Sequence, residues 1–145
     1  MQNKLSKHKI SKLIKIKNPF LMIDKVHKLK ALKSGLGIKQ INKNSWFFKC
    51  HFINSPLMPG TLIQESMLQT IVSIIYSHKK FKNKICLITS SETSYFSKIA
   101  KPTTIYIQGN ILRLTLTKIE AFAKVIDQNK TKIASGNFKY FITNK

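Results

Sequence analysis

Thr61-Leu62-Ile63-Gln64-Glu65-Ser66-Met67-Leu68-Gln69-Thr70-Ile71-Val72-Ser73-Ile74-Ile75-Tyr76-Ser77 is the stretch on which the fold turns. Its apolar residues Leu62, Ile63, Met67, Leu68, Ile71, Val72, Ile74 and Ile75 occupy more than one face of a 3.6-residue helix, so protein must enclose that helix on most sides. Directly before it, His51 to Gly60 reads as a loop, because Asn54, Ser55, Pro56, Pro59 and Gly60 interrupt any regular pattern. Towards the N-terminus, Leu5, Ile10, Leu13, Ile14 and Ile16 recur loosely at helical spacing among lysines, predicting a short basic helix over Lys4–Lys17 that Asn18-Pro19 stops. Phe20–Lys30 and Ile38–Asn42 read as strands joined by a turn at Gly35-Leu36-Gly37, and Trp46-Phe47-Phe48 as a core or interface patch. Towards the C-terminus, strands are predicted over Ile85–Ile88, Ser94–Ile99, Thr104–Leu116, Ile119–Ile126 and Ile133–Ile142. Asp127-Gln128-Asn129-Lys130 is a polar hairpin turn between the last two.

Two or three early strands, one enclosed helix and four or five antiparallel strands make an α+β domain. In it an antiparallel sheet wraps around a long central helix, the hot-dog arrangement. A ferredoxin-like fold would need a second amphipathic helix between the later strands, and none is visible. With no repeat, low-complexity tract or composition break, residues 1–145 read as a single domain that includes the basic helix.

The chain carries 26 Lys plus Arg against 5 Asp plus Glu, a formal charge of +21. At 43% hydrophobic, with 9 Phe and 4 Tyr, it is too rich in core-forming residues to be a disordered polycation. A field of this sign favours encounter with anionic partners, whether nucleic acid, membrane surface or acidic protein. No apolar run reaches the roughly 18 residues of a membrane span, and the lysine-interrupted N-terminus does not read as a secretory signal, so a cytoplasmic location is expected. Cys50 and Cys86 are expected as free thiols, and the four histidines show no metal-ligand spacing, so no metal is expected.

His51, Gly60 and Glu65 are the residues that suggest chemistry. A carboxyl on an enclosed helix is costly to bury unless paired, protonated or used, and desolvation raises its pKa into the range of a general acid. A Gly directly before a helix leaves free N–H groups at the positive end of the helix dipole, able to polarise a carbonyl. Each feature alone has a structural reading: a salt bridge for Glu65, ordinary capping for Pro59-Gly60.

Together they resemble a family, the 3-hydroxyacyl-acyl carrier protein dehydratases of type II fatty acid synthesis, of the shorter, Glu-containing type. The resemblance rests on Cys50-His51-Phe52 through Pro56-Leu57-Met58-Pro59-Gly60 to Leu62, Glu65 and Gln69, and on Asn18-Pro19-Phe20-Leu21-Met22-Ile23-Asp24-Lys25-Val26. A looser match is Phe96-Ser97-Lys98-Ile99-Ala100-Lys101-Pro102. It implies dehydration of a 3-hydroxyacyl thioester on acyl carrier protein, to give a trans-2-enoyl thioester in fatty acid or related acyl-chain biosynthesis. His51 would act as general base, Gly60 N–H as carbonyl donor and Glu65 as acid. Gln69 would orient Glu65, and Phe52, Met58 and Pro59 would contact substrate. It further implies that neither metal nor cofactor is needed, and a homodimer with a continuous sheet, His51 of one subunit facing Glu65 of the other, often as a trimer of dimers. Lys98 and Lys101 are the expected docking surface for the acidic carrier protein.

Three departures stand out: Cys50 where the family has Gly, Ile53-Asn54 where it has Pro-Gly, and Thr103-Thr104 where it has Gly-Asp. They keep open a catalytically silent or divergent hot-dog protein, either a carrier-binding partner or a thioesterase or hydratase. A basic nucleic-acid-binding protein is the third reading, disfavoured because the lysines are spread along the chain. A Cys50–His51 dyad is disfavoured because adjacent side chains in extended backbone point to opposite faces.

Overall fold

The computed structural model describes residues 3–144. Its elements are β1 (Leu5–Ser6), α1 (Lys7–Ile14), β2 (Lys25–Lys30), β3 (Ser34–Ile41), α2 (Gly60–Tyr76), β4 (Lys84–Tyr95), β5 (Thr103–Leu114), β6 (Lys118–Asp127) and β7 (Lys132–Asn144). Short 3-10 turns lie at Trp46–Lys49 and Lys79–Phe81. All seven strands join one antiparallel sheet in the order β1-β2-β3-β5-β6-β7-β4, and α2 packs across it from β2 to β4. This is the expected sheet around a central helix. No described helix is long and apolar enough to cross a membrane.

Burial of α2 has two parts. Ile63, Met67, Ile71, Ile74 and Ile75 are almost wholly buried and supply the hydrophobic contact. Ser66, Thr70 and Ser73 are buried as well, and each hydroxyl donates back to a carbonyl of its own helix: Ile63 O at 2.6 Å, Ser66 O at 2.8 Å and Gln69 O at 2.8 Å. These small polar residues thus enter the core with their hydrogen bonds made.

The structure corrects several element boundaries. Gly35-Leu36-Gly37 is not a turn: it lies inside β3, paired with Gly109, Gln108 and Ile107 of β5. None of these glycines has a positive φ, so their role is space. A Cβ on Gly37 would lie 2.2 Å from Thr70 Oγ1, and one on Gly109 would lie 2.9 Å from Ile74 Cδ1. The first helix is shorter than expected, because Leu5 and Ser6 pair with Val26 and Lys25 and Lys15 ends the helix in the left-handed region. Strand β2 begins only at Lys25. The preceding Leu21, Met22 and Ile23 are buried but irregular, and the Met22 N–H goes to a side chain instead of a sheet partner. Ile85–Ile88 and Ser94 belong to one strand, β4, whose polar middle still pairs with β7 past a register shift between Ile88 and Ser90; Phe96–Ile99 lie outside it.

Gly37→Ala should lower stability by about 1–3 kcal/mol, because Thr70 is β-branched, buried and held by its own hydrogen bond, and cannot give way. Denaturant titration checks this, and Thr70→Ala in the same chain should recover part of the loss.

Candidate active site

Pro59 precedes α2 in an extended conformation, and its carbonyl accepts the N–H groups of Leu62 and Ile63. The Gly60 N–H has no acceptor among the described residues and no side chain caps the helix, so a donor stands free at the positive end of a 17-residue helix. Tyr95, at the end of β4, closes on the same residue: its hydroxyl donates to Gly60 O at 2.8 Å. Its ring leaves only 3.1 Å to where a Gly60 Cβ would stand. A side chain at the helix start would thus require this ring to give way by a few tenths of an ångström.

His51 is half-buried and anchored twice to Leu57. Leu57 N–H donates to His51 O at 2.7 Å, and His51 Nδ1 lies 3.1 Å from Leu57 O. A carbonyl only accepts, so Nδ1 carries the proton and Nε2 is the basic nitrogen of the neutral ring. The exposed Phe52 ring stands 3.8 Å from the imidazole, centroid to centroid, and shields one of its faces. The His51–Phe52 peptide is cis.

Glu65 lies a turn and a half into α2. Burial pushes its carboxyl above the ordinary 4.5, opposed in part by a hydrogen bond from Gln69 Nε2 to Oε1 at 2.9 Å. Gln69 is 2% exposed and fully used: Nε2 also donates to Phe20 O at 2.8 Å, while Oε1 accepts Met22 N–H at 2.7 Å. One amide thus fixes Glu65 and sutures α2 to the irregular segment before β2.

An open groove of about 320 Å³ runs beside Gly60, between Leu57, Met58 and Ile63 on one wall and Tyr95, Phe96, Ser97 and Lys98 on the other. Met58 is almost fully buried and its N–H donates to Ile99 O at 2.8 Å, which straps the loop to the segment after β4. Of the residues singled out in the sequence, the groove brings together Met58, Gly60 and Lys98. Phe52 stands against His51 instead, Pro59 serves the helix start, Gln69 lies beneath in the core, and Lys101 is exposed outside the groove. His51 and Glu65 share no hydrogen bond within the chain. Tyr95 and the carbonyls of Leu57 and Phe20 were not foreseen. Only Tyr95 left a sequence signal, by preceding Phe96-Ser97-Lys98. Among the described residues no group of three or more His, Cys, Asp or Glu is placed to hold a metal ion.

The departures noted in the sequence are peripheral to this geometry. The Cys50 thiol is exposed and faces Trp46 O and Phe47 O, each at 3.7 Å. Ile53 and Asn54 form the exposed tip of a turn closed by reciprocal bonds between Phe52 and Ser55. Thr103 begins β5 with a buried hydroxyl lacking a partner among the described residues.

Residues 15–135 match the family model of the FabA-like domain. The chain belongs to that family. It is 37% identical over 127 residues to the 3-hydroxyacyl-[acyl-carrier-protein] dehydratase FabZ of Clostridium botulinum strain Loch Maree, covering 86% of this chain and 84% of that protein. It is 30% identical over 122 residues to the protein of the same name from Thermoanaerobacter sp. strain X514, covering 82% and 86%. Solved structures with the same fold include the E. coli PaaI protein, at TM-score 0.67 and 6% identity over 93% of this chain and 88% of that one. Another is a hypothetical thioesterase from Streptococcus pneumoniae with coenzyme A, at TM-score 0.63 and 11% identity over 83% and 85%. At such identities these two establish the hot-dog fold, not the reaction.

Gln69→Leu should cost about 2–4 kcal/mol, since Met22 N–H and Phe20 C=O lose their buried partner. It should also raise the Glu65 pKa further. In the parent, the Glu65 proton is held more tightly folded than unfolded, so its stabilisation is complete below pH 4.5 and declines as pH rises through the raised value. Without the amide donor the ionised form is worse off, and the stability lost by Gln69→Leu should be greater at about pH 8 than at about pH 4. Melting curves at the two pH values test this.

Proposed function

We propose that this chain removes water from 3-hydroxyacyl thioesters carried on acyl carrier protein, giving trans-2-enoyl thioesters for fatty acid biosynthesis. What carries the reading is a carboxyl raised by burial and held by a buried amide, a turn and a half inside a helix whose first N–H is free. The names of the 30–37% identical relatives support it.

The thioester carbonyl accepts the Gly60 N–H, and His51 Nε2 removes a proton from C2. The electron pair moves towards the carbonyl oxygen, where the helix N-terminus stabilises the developing charge. As the C2–C3 double bond forms, the C3–O bond breaks and protonated Glu65 delivers its proton, so the hydroxyl leaves as water. His51 ends protonated and Glu65 ionised, and one proton transfer between them restores the resting state. Met58 lines the acyl path, and Lys98 with Lys101 receives the acidic carrier.

His51 and Glu65 belong to one site when two copies of the chain combine, the imidazole of one facing the carboxyl of the other. β4 is the natural seam. It ends the sheet with a free twelve-residue edge, and Leu87 and Ile88 on it are exposed. Pairing two such edges makes the sheet continuous, and sedimentation distinguishes this dimer from a trimer of dimers.

His51→Ala and Glu65→Gln should each abolish water loss from hydroxyacyl carrier protein, read by mass spectrometry, with the oligomer intact. Mixing the two inactive variants should restore some turnover through hybrid dimers; no recovery despite subunit exchange would contradict the shared site.

Lys98→Glu with Lys101→Glu should raise KM for the carrier-linked substrate and flatten its salt dependence while sparing a short thioester. Equal effects on both substrates would remove these lysines from docking.

A further inference from the structure

We propose that the cleft at the far end of α2 is a second ligand site, one that takes a single long-chain carboxylate. This cleft, of about 490 Å³, lies between the N-terminal segment, β2 and the last turn of α2. Its volume falls in the ordinary range of small-molecule sites. It shares no lining residue with the groove beside Gly60, and the inference does not rest on the dehydratase reading.

The walls and the rim differ in chemistry. Leu5, Leu13, Leu29, Ala31 and the Tyr76 ring form the walls, and Leu5 and Leu29 are themselves nearly buried. The Tyr76 hydroxyl accepts Cys86 N–H at 3.0 Å, so its polar end is used in the fold and its ring is left as apolar surface. At the rim stand His78, Lys79 and Lys82, and among the described residues no carboxylate lines the cleft. An apolar trough ending in three nitrogen groups complements a molecule with one hydrocarbon tail and one anionic head.

Two details favour an anion there. The end of a helix is ordinarily its negative pole, but three of the last four carbonyls of α2 are already bonded. Ser73 O accepts Ser77 N–H, Ile74 O accepts the Ser77 hydroxyl and Leu32 N–H, and Ile75 O accepts His78 N–H. In addition, His78 Nδ1 accepts Lys80 N–H at 3.3 Å, which places the ring proton on Nε2 and leaves that nitrogen a donor in either charge state. Asn3 and Leu29 also border an adjoining groove with Lys28 and Lys30, extending the positive field along the cleft.

The test is displacement of a fluorescent acyl probe, cis-parinarate, by dodecanoate below its micelle concentration, with dodecyl maltoside as an uncharged molecule of the same tail. Dodecanoate should bind more tightly than the maltoside and weaken with added salt. Lys79→Glu with Lys82→Glu, both on exposed side chains, should weaken dodecanoate roughly tenfold and leave the maltoside unchanged. Leu13→Glu should weaken both, and Ser97→Trp, which obstructs the groove beside Gly60, should weaken neither. Unchanged dodecanoate affinity in the lysine variant, or its loss in Ser97→Trp, would overturn the proposal.

Discussion

The contact that the remaining structure depends on is the approach of α2 to the sheet at Gly37 and Gly109, where no β-carbon fits between strand and helix. Because Thr70, Ile71 and Ile74 sit directly on these strands, the axial position and rotation of α2 are set by a packing constraint that admits little slippage. The start and the flank of the helix inherit that precision. At the start Gly60, its N–H free, meets Tyr95 and lines the groove; on the flank Gln69 meets Phe20 and Met22 and holds Glu65. Helix placement and site geometry are thus consequences of the same contact.

The sequence made the fold legible wherever hydrophobic pattern alone decides it. A helix apolar on several sides must be enclosed, and only a sheet built from the flanking strands was available to enclose it. It misled wherever a residue carried a second duty. Gly35 and Gly37 look like turn residues, yet they are two apart and so share one face of β3, which is where α2 needs space. Thr89 to Thr93 look like a break because they are polar, yet they lie inside an edge strand. There, Ser91 accepts from Gln64, and Thr93 donates to it at 3.0 Å.

The candidate site was legible in its side chains and hidden in its backbone. His51, Gly60, Glu65 and Gln69 stood out because their residue types and spacing carry chemistry. Leu57 O, which sets the His51 tautomer, and Phe20 O, which occupies Gln69, are carbonyls that every residue possesses, so composition cannot flag them. Phe52 was readable as an aromatic near the site but not in its position, which is against the imidazole rather than in the groove.

Charge organises the molecule in a way that composition hides. Among the described residues, the ion pairs join Lys7 and Lys39 to one carboxylate, Asp24, which also accepts Gln40 N–H and so ties α1 to β3. Burial draws the Lys39 pKa down, and the adjacent Asp24 resists that. Among the described residues Glu65 has no cationic partner, in a chain with 26 Lys and Arg. A lysine within contact would favour the carboxylate and depress its pKa, against the proton-donor role proposed for it. The neutral Gln69 amide instead orients the carboxyl at a smaller electrostatic penalty to its protonated form. Lysines crowd the surface, where a long-range field would assist the proposed anionic carrier, and the described ones stand apart from the carboxyl proposed as the proton donor.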